Sequence, residues 1–249
     1  MWKKKQRKHF PRKIIILIIL FLIAGFLSAF YKSNFFTIKK IDIQAKDISC
    51  ANEDQLKVSS GLMGQNFFLI ESKKIEENLK SQFICMKSAA VAKYFPNKIY
   101  LQVSNRKALA VFAATPSAEL VKEFFLIDNE GVVFGKGEEN SDFLKIYIFN
   151  QNLSVGQKLT GIISDIPKVL DKIKTLNIQI NTARINQDIF TITSNPPVLE
   201  ILFRLNNNVD VQLASLQLIL NKAKMDLNEL EFIDLRFDKP VVRFAPKKK

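Results

Sequence analysis

The side chains able to do chemistry in this sequence are few, and their spacing does not suit catalysis. One histidine, His9, occurs in 249 residues, and it lies in a basic N-terminal stretch with no carboxylate before Asp42. With no imidazole beyond that stretch, the rest of the chain can assemble neither a Ser-His-Asp relay nor a histidine-ligated zinc centre. A Ser-Lys dyad needs no histidine, and Ser59 or Ser60 with Lys73 or Lys74 would be its members. Neither serine has the Ser-x-x-Lys spacing or the glycine-flanked elbow that presents such a nucleophile. The paired carboxylates, Glu76-Glu77, Glu138-Glu139 and Asp226 with Glu229, sit in lysine-rich or loop-like stretches and read as solvated faces. No glycine-rich phosphate cradle is present, so neither a cofactor nor a small-molecule substrate is implied.

Charge and hydropathy point elsewhere. Seven basic residues, Lys3, Lys4, Lys5, Arg7, Lys8, Arg12 and Lys13, precede one uninterrupted apolar run, Ile14 to Phe30. As a helix this run extends about 26 Å, at the short end of what crosses a hydrocarbon core. The near flank beyond it offers only Lys32, Lys39 and Lys40. The positive-inside rule therefore keeps residues 1–13 cytoplasmic and exports everything after Tyr31. A cleaved signal peptide is the alternative, but the run is long for one, and Leu27-Ser28-Ala29 is a poor cleavage site. The net charge of +13 is largely topological: the seven tail charges with Lys247, Lys248 and Lys249 account for ten. A basic tail beside anionic headgroups explains it, and nucleic-acid binding is not expected.

The exported part divides into two regions. Thr37 to Gln44 alternates and predicts a strand, with Ile41 and Ile43 on one face. Asn52 caps a short helix ending near Gly61 or Gly64, and Ser72 caps a second to Phe83, with Ile75, Leu79 and Phe83 in helical spacing. Ala89–Phe95 and Lys98–Ser104 follow as strands around Pro96-Asn97, giving a β-α-α-β-β unit. Beyond Lys107 the pattern is β-rich. Strands are expected at Lys107–Ala114, either side of Asp128–Gly131, and at Lys145–Phe149, Ile185–Thr193, Val198–Leu205 and Val209–Leu213. Helices are expected over 162–176 and Ala214–Lys224, followed by a strand-like stretch, Leu230 to Phe244. The fold class is α+β, with one transmembrane helix at the N-terminus.

The element order bears on the two cysteines. If the helices form an antiparallel pair over one sheet face, Cys50 before the first and Cys85 after the second become neighbours. An even count in an exported unit favours a disulfide. Two buried free thiols are the alternative.

Five phrases, in this order, resemble the bacterial FtsQ/DivIB family of cell-division proteins: Phe36-Thr37-Ile38-Lys39-Lys40-Ile41, Gly64-Gln65-Asn66-Phe67-Phe68, Tyr94-Phe95-Pro96-Asn97-Lys98-Ile99, Leu126-Ile127-Asp128 with Gly131-Val132-Val133-Phe134, and Phe232 to Phe237 continuing to Arg243. The resemblance covers nearly the whole chain, with one departure. Asn105-Arg106-Lys107-Ala108-Leu109-Ala110 keeps Arg106 and Ala110 of the family's inter-domain phrase but lacks its acid and proline, which implies a less rigidly bent linker. The resemblance implies a POTRA domain over 36–105, an FtsQ-type β domain over 106–245 and a basic end over 246–249. It also implies a non-enzymatic scaffold of the divisome in the inner (cell) membrane, with its N-terminus cytoplasmic, recruited to midcell. Its partners would be small coiled-coil bitopic proteins of the FtsB and FtsL type.

A final strand suits strand addition by such a partner. The candidate contact residues are Ile233, Asp234, Leu235, Arg236, Phe237, Asp238, Val241, Val242 and Arg243. Alternation places Ile233, Leu235 and Phe237 inward and Asp234, Arg236 and Asp238 outward. The edge at Ile99–Val103 is a second candidate. Rival readings are a membrane-anchored Ser-Lys hydrolase and a POTRA-bearing export or assembly accessory.

Overall fold

The computed structural model describes residues 12–31, 33–46, 50–115, 123–149, 151–195, 198–223 and 229–246. His9, most of the basic tail, Asp226 and the terminal lysines lie outside them. Packing divides the chain into two units, Met1–Asn105 and Arg106–Lys249.

In the first unit the apolar run lies within one helix, α1 (Arg12–Tyr31), of 20 residues. Its described side chains lie between Ile14 and Gly25, and the large apolar ones among them are exposed. Among the described residues no helix is long and apolar enough to cross a membrane. A single 3-10 turn, Asn34–Phe36, then leads to β1 (Lys40–Lys46). Helix α2 (Glu53–Ser60) begins with a reciprocal cap: the Gln55 amide donates to the Asn52 side chain, and the Asn52 amide to the Gln55 side chain. It ends at Gly61, whose φ of 59° is the left-handed conformation that closes a helix at least cost in glycine. Helix α3 (Ser72–Gln82) starts one residue earlier than expected. Ser72 is its first residue, not its cap, and Glu71 at the cap makes no side-chain capping bond.

Strands β2 (Met86–Tyr94) and β3 (Lys98–Asn105) complete a three-stranded sheet in the order β1-β3-β2. Ile99, Leu101 and Val103 point one way along β3 and join Leu56 of α2 and Leu79 of α3 in one buried cluster. Strand β3 is central, parallel to β1 and antiparallel to β2, so Ile99–Val103 is not a free edge. That expectation is corrected: the chain's last strand in a unit need not lie outermost, and a parallel pairing across the two helices places β3 between its neighbours. Cys50 and Cys85 are joined by a disulfide, their Cα atoms 6.4 Å apart, within the span such bonds require.

The second unit is built on a nine-stranded sheet in the order β12-β11-β10-β9-β8-β7-β4-β5-β6. Its strands are β4 (Ala110–Thr115), β5 (Glu123–Ile127), β6 (Val133–Lys136), β7 (Lys145–Phe149), β8 (Ile180–Asn186), β9 (Ile189–Ser194), β10 (Leu199–Arg204), β11 (Leu230–Asp234) and β12 (Val241–Phe244). Two helices, α4 (Ile166–Thr175) and α5 (Val209–Ala223), bury Val169, Ile173, Leu213 and Leu216 in one core with Phe112, Ile146, Phe190, Phe203 and Ile233.

Three expectations fail for local reasons. Ile185–Thr193 is not one strand, because Gln187 adopts a φ of 54° and turns β8 into β9. Val209–Leu213 is the first turns of α5 and not a strand. Asn208 accepts from the amides of Asp210 and Val211, and Val209, Leu213 and Leu216 then share a helical face. Leu230–Phe244 is two strands, since the chain leaves the sheet after Leu235 and returns beyond Pro240.

Candidate docking edge

The candidate contact residues all fall on β11, β12 and the turn between them. Strand β11 is parallel to β10 and antiparallel to β12, with a bulge between Leu230 and Phe232. Among the described residues β12 is paired to β11 alone and closes the sheet order. The Ala245 amide donates to the Glu229 carbonyl. By alternation, Val241 and Arg243 also turn their backbone groups toward β11, and Val242 and Phe244 turn theirs outward. This outward row is what a further strand would pair with.

The side chains separate into two sets. Ile233 and Leu235 lie in the core, and Asp234 is 4% exposed. The outward assignment of Asp234 and the inward assignment of Phe237 are therefore corrected. The chain turns away from the strand at Leu235, whose amide donates to the Leu202 carbonyl, and period-2 facing ends there. Phe237, Val241 and Phe244 are about half exposed, at 53%, 53% and 52%. Val242 packs against the core, and Asp238 faces solvent. Phe244 was not among the sequence candidates. It shares a face with Val242 and pairs with the buried Leu230, yet stays half exposed at the sheet's outermost strand, which no alternation rule reveals.

Charge holds the turn in place. Asp234 accepts from the Arg236 amide at 3.0 Å and from its guanidinium at 2.9 and 2.6 Å, a bidentate pair. Burial pushes the Asp234 carboxyl up, but the Arg236 side chain and amide outweigh it, with Arg204 helping, and leave it below the ordinary carboxylate range. The Asp234 carboxylate in turn raises Arg236, against desolvation, with Asp188 adding to it. The Arg236 guanidinium also lies 5.5 Å from the Phe237 ring centre. On the outer pair, Arg243 donates to Glu231 at 3.1 Å and lies 5.1 Å over Phe232. What remains exposed and apolar is Phe244 on the face of Val242, Val241 on the opposite face and Phe237 in the turn, with Arg243, Glu231 and Asp238 among them.

Of the other candidates, Ser59, Ser60 and Lys74 line one open pocket beside the end of α2. Ser60 is buried and donates its hydroxyl to the Lys57 carbonyl at 2.7 Å, closing the end of α2. Glu76 accepts from the Val91 amide, tying α3 to β2. Sequence reasoning missed the role of Arg106, which donates to Asp128 and, at 2.9 Å, to Glu130. Asp128 is fully buried and also accepts from the amides of Glu130 and Val132, so it organises the turn between β5 and β6.

Comparison with known proteins agrees with this architecture. The profile of the POTRA domain, FtsQ-type, matches residues 36–106. A cell division protein DivIB of Clostridium botulinum (strain Hall) is 27% identical over 236 residues, 94% of this chain and 86% of that protein. A DivIB of Bacillus cytotoxicus is 34% identical over 103 residues, 41% of this chain and 39% of that protein. A DivIB of Brevibacillus brevis is 25% identical over 128 residues, 51% of this chain. The match spans less than half the length of those last two relatives, 39% and 46%. With the POTRA profile on the β-α-α-β-β unit and a DivIB relative aligned across almost the entire sequence, the chain is similar to the FtsQ/DivIB cell-division proteins over nearly its whole length.

Proposed function

We propose that the protein is a single-pass membrane scaffold of the cell-division machinery that acts by binding and not by catalysis. In this reading residues 1–13 are a cytoplasmic tail, 14–31 cross the membrane, 36–105 are the POTRA domain and 106–245 the β domain, both extracytoplasmic. Residues 246–249 are a basic end. The cell-division names of the relatives support the process. The basic tail before an apolar helix supports the topology. The scaffold joins cytoplasmic and extracytoplasmic division proteins, and its partners are small bitopic coiled-coil proteins of the FtsB and FtsL type.

One observation carries the binding mode: β12 is an edge strand with an outward backbone row at Val242 and Phe244 and with exposed apolar side chains at Val241 and Phe244 on its two faces. An added strand gains main-chain hydrogen bonds from that row and side-chain contacts from Val241 and Phe244.

The test is Phe244→Pro in a fluorescent fusion. Proline removes the outward donor at 244 but not the amides turned toward β11, so the sheet keeps its internal pairing. The unaltered fusion gathers at midcell, and the variant loses that recruitment or its septal partners while its thermal transition stays unchanged. Normal recruitment of a folded variant would remove strand addition at this edge. An unaltered fusion spread evenly round the membrane would remove division as the process.

A further inference from the structure

Three of the phrases that carry the family resemblance converge on one surface of the first unit, which the docking edge leaves unused. Phe35 and Phe36 come from the 3-10 turn, Phe67 and Phe68 from the loop before α3, and Phe95 from the turn between β2 and β3. Their rings pack together: Phe36 lies 5.1 Å from Phe35, 5.0 Å from Phe68 and 5.8 Å from Phe95, and Phe67 lies 6.0 Å from Phe95. Phe36 is fully buried at the centre. Around it Phe35, Phe68 and Phe95 are 54%, 46% and 66% exposed, and Leu69 beside them is 63% exposed. A contiguous apolar surface with a buried aromatic keel marks a contact with something apolar.

Two observations identify the occupant. Phe35 follows the end of α1 at Tyr31 by four residues. Even fully extended, that link reaches no more than about 14 Å, so an anchor that spans the membrane holds the patch at the bilayer surface. A cation stands at the patch: the Lys93 ammonium lies 5.8 Å from the Phe67 ring centre, and in the sequence Lys39 and Lys40 follow Phe36 closely with no acid before Asp42. Apolar rings with a lysine at their edge, a few residues from a membrane helix, match the chemistry of an interface with anionic headgroups.

We propose that this aromatic patch inserts into the outer headgroup region of the lipid bilayer and seats the POTRA unit against the membrane. The proposal rests on the single-pass reading above, and one experiment separates the two. The full chain, with Trp2→Phe, carries Phe68→Trp, Phe95→Trp or, as the reference, Val211→Trp, and is reconstituted in vesicles of phosphatidylcholine and phosphatidylglycerol with brominated acyl chains. The indoles at 68 and 95 should be quenched several-fold more than the one at 211, with blue-shifted emission. Quenching at 68 and 95 no greater than at 211, in variants that keep the wild-type thermal transition, overturns the docking, including the case in which the patch serves a partner protein instead. Alkaline extraction of the same vesicles reads the anchor independently: release of the chain sinks the spanning assignment whichever way the quenching falls.

Discussion

Burial pushes the Asp234 carboxyl up, and Arg236 more than reverses it. Its folded value lies below the unfolded one, about 3.9 for an ordinary aspartate. The stability this contributes is therefore fully present above that unfolded value and is lost as pH falls through the folded one. Asp234→Asn should lower stability at neutral pH by about 1 to 3 kcal/mol, since the bidentate Arg236 loses its charged partner. Below about pH 4 the loss should shrink, because the unfolded wild-type carboxylate then takes up a proton that the folded one still excludes, which draws the wild type toward unfolding. Parallel melts of the two proteins from pH 7 to pH 3 check both statements, and curves that stay parallel to pH 3 would contradict the linkage. Asp42, lowered chiefly by its bond from Lys98, is a solvent-facing pair on β1 and β3 and adds little of this kind.

At the scale of elements, the start of α2 was legible because capping is local: Asn52 and Gln55 stand three apart and satisfy each other's amides. Asn52→Ala should cost about 1 kcal/mol, read as a lowered thermal transition. Closing Cys50 to Cys85, 35 residues apart, is worth about 3 to 4 kcal/mol in the chain-entropy model. Cys50→Ser or reduction should destabilise by that order, and two reactive thiols in the untreated, unfolded protein would show the bridge to be absent. Alternation located most strands, but it could not separate Val209–Leu213 from a helix, because Val209, Val211 and Leu213 alternate with Asp210 and Gln212 while Val209 and Leu213 also stand one helical turn apart. Only the Asn208 cap and the shared face with Leu216 decide it.

For the whole molecule, the topology makes a prediction independent of any partner. With the tail cytoplasmic, Val211→Cys, on an exposed position of α5, should label with a membrane-impermeant maleimide in intact cells or spheroplasts, and labelling only after lysis would reverse the orientation. The sequence by itself determined the basic tail, the apolar run, the lack of imidazole chemistry beyond His9 and the β-α-α-β-β order of the first unit. Each of these depends on residues near one another in the chain. Tertiary structure decided which strands are edges, that β3 is central, that Asp234 is buried against Arg236, and that five distant phenylalanines share one surface. Strand order is set by pairings between segments far apart in sequence, and period-2 patterning records which face a residue takes without recording which strand lies beside it.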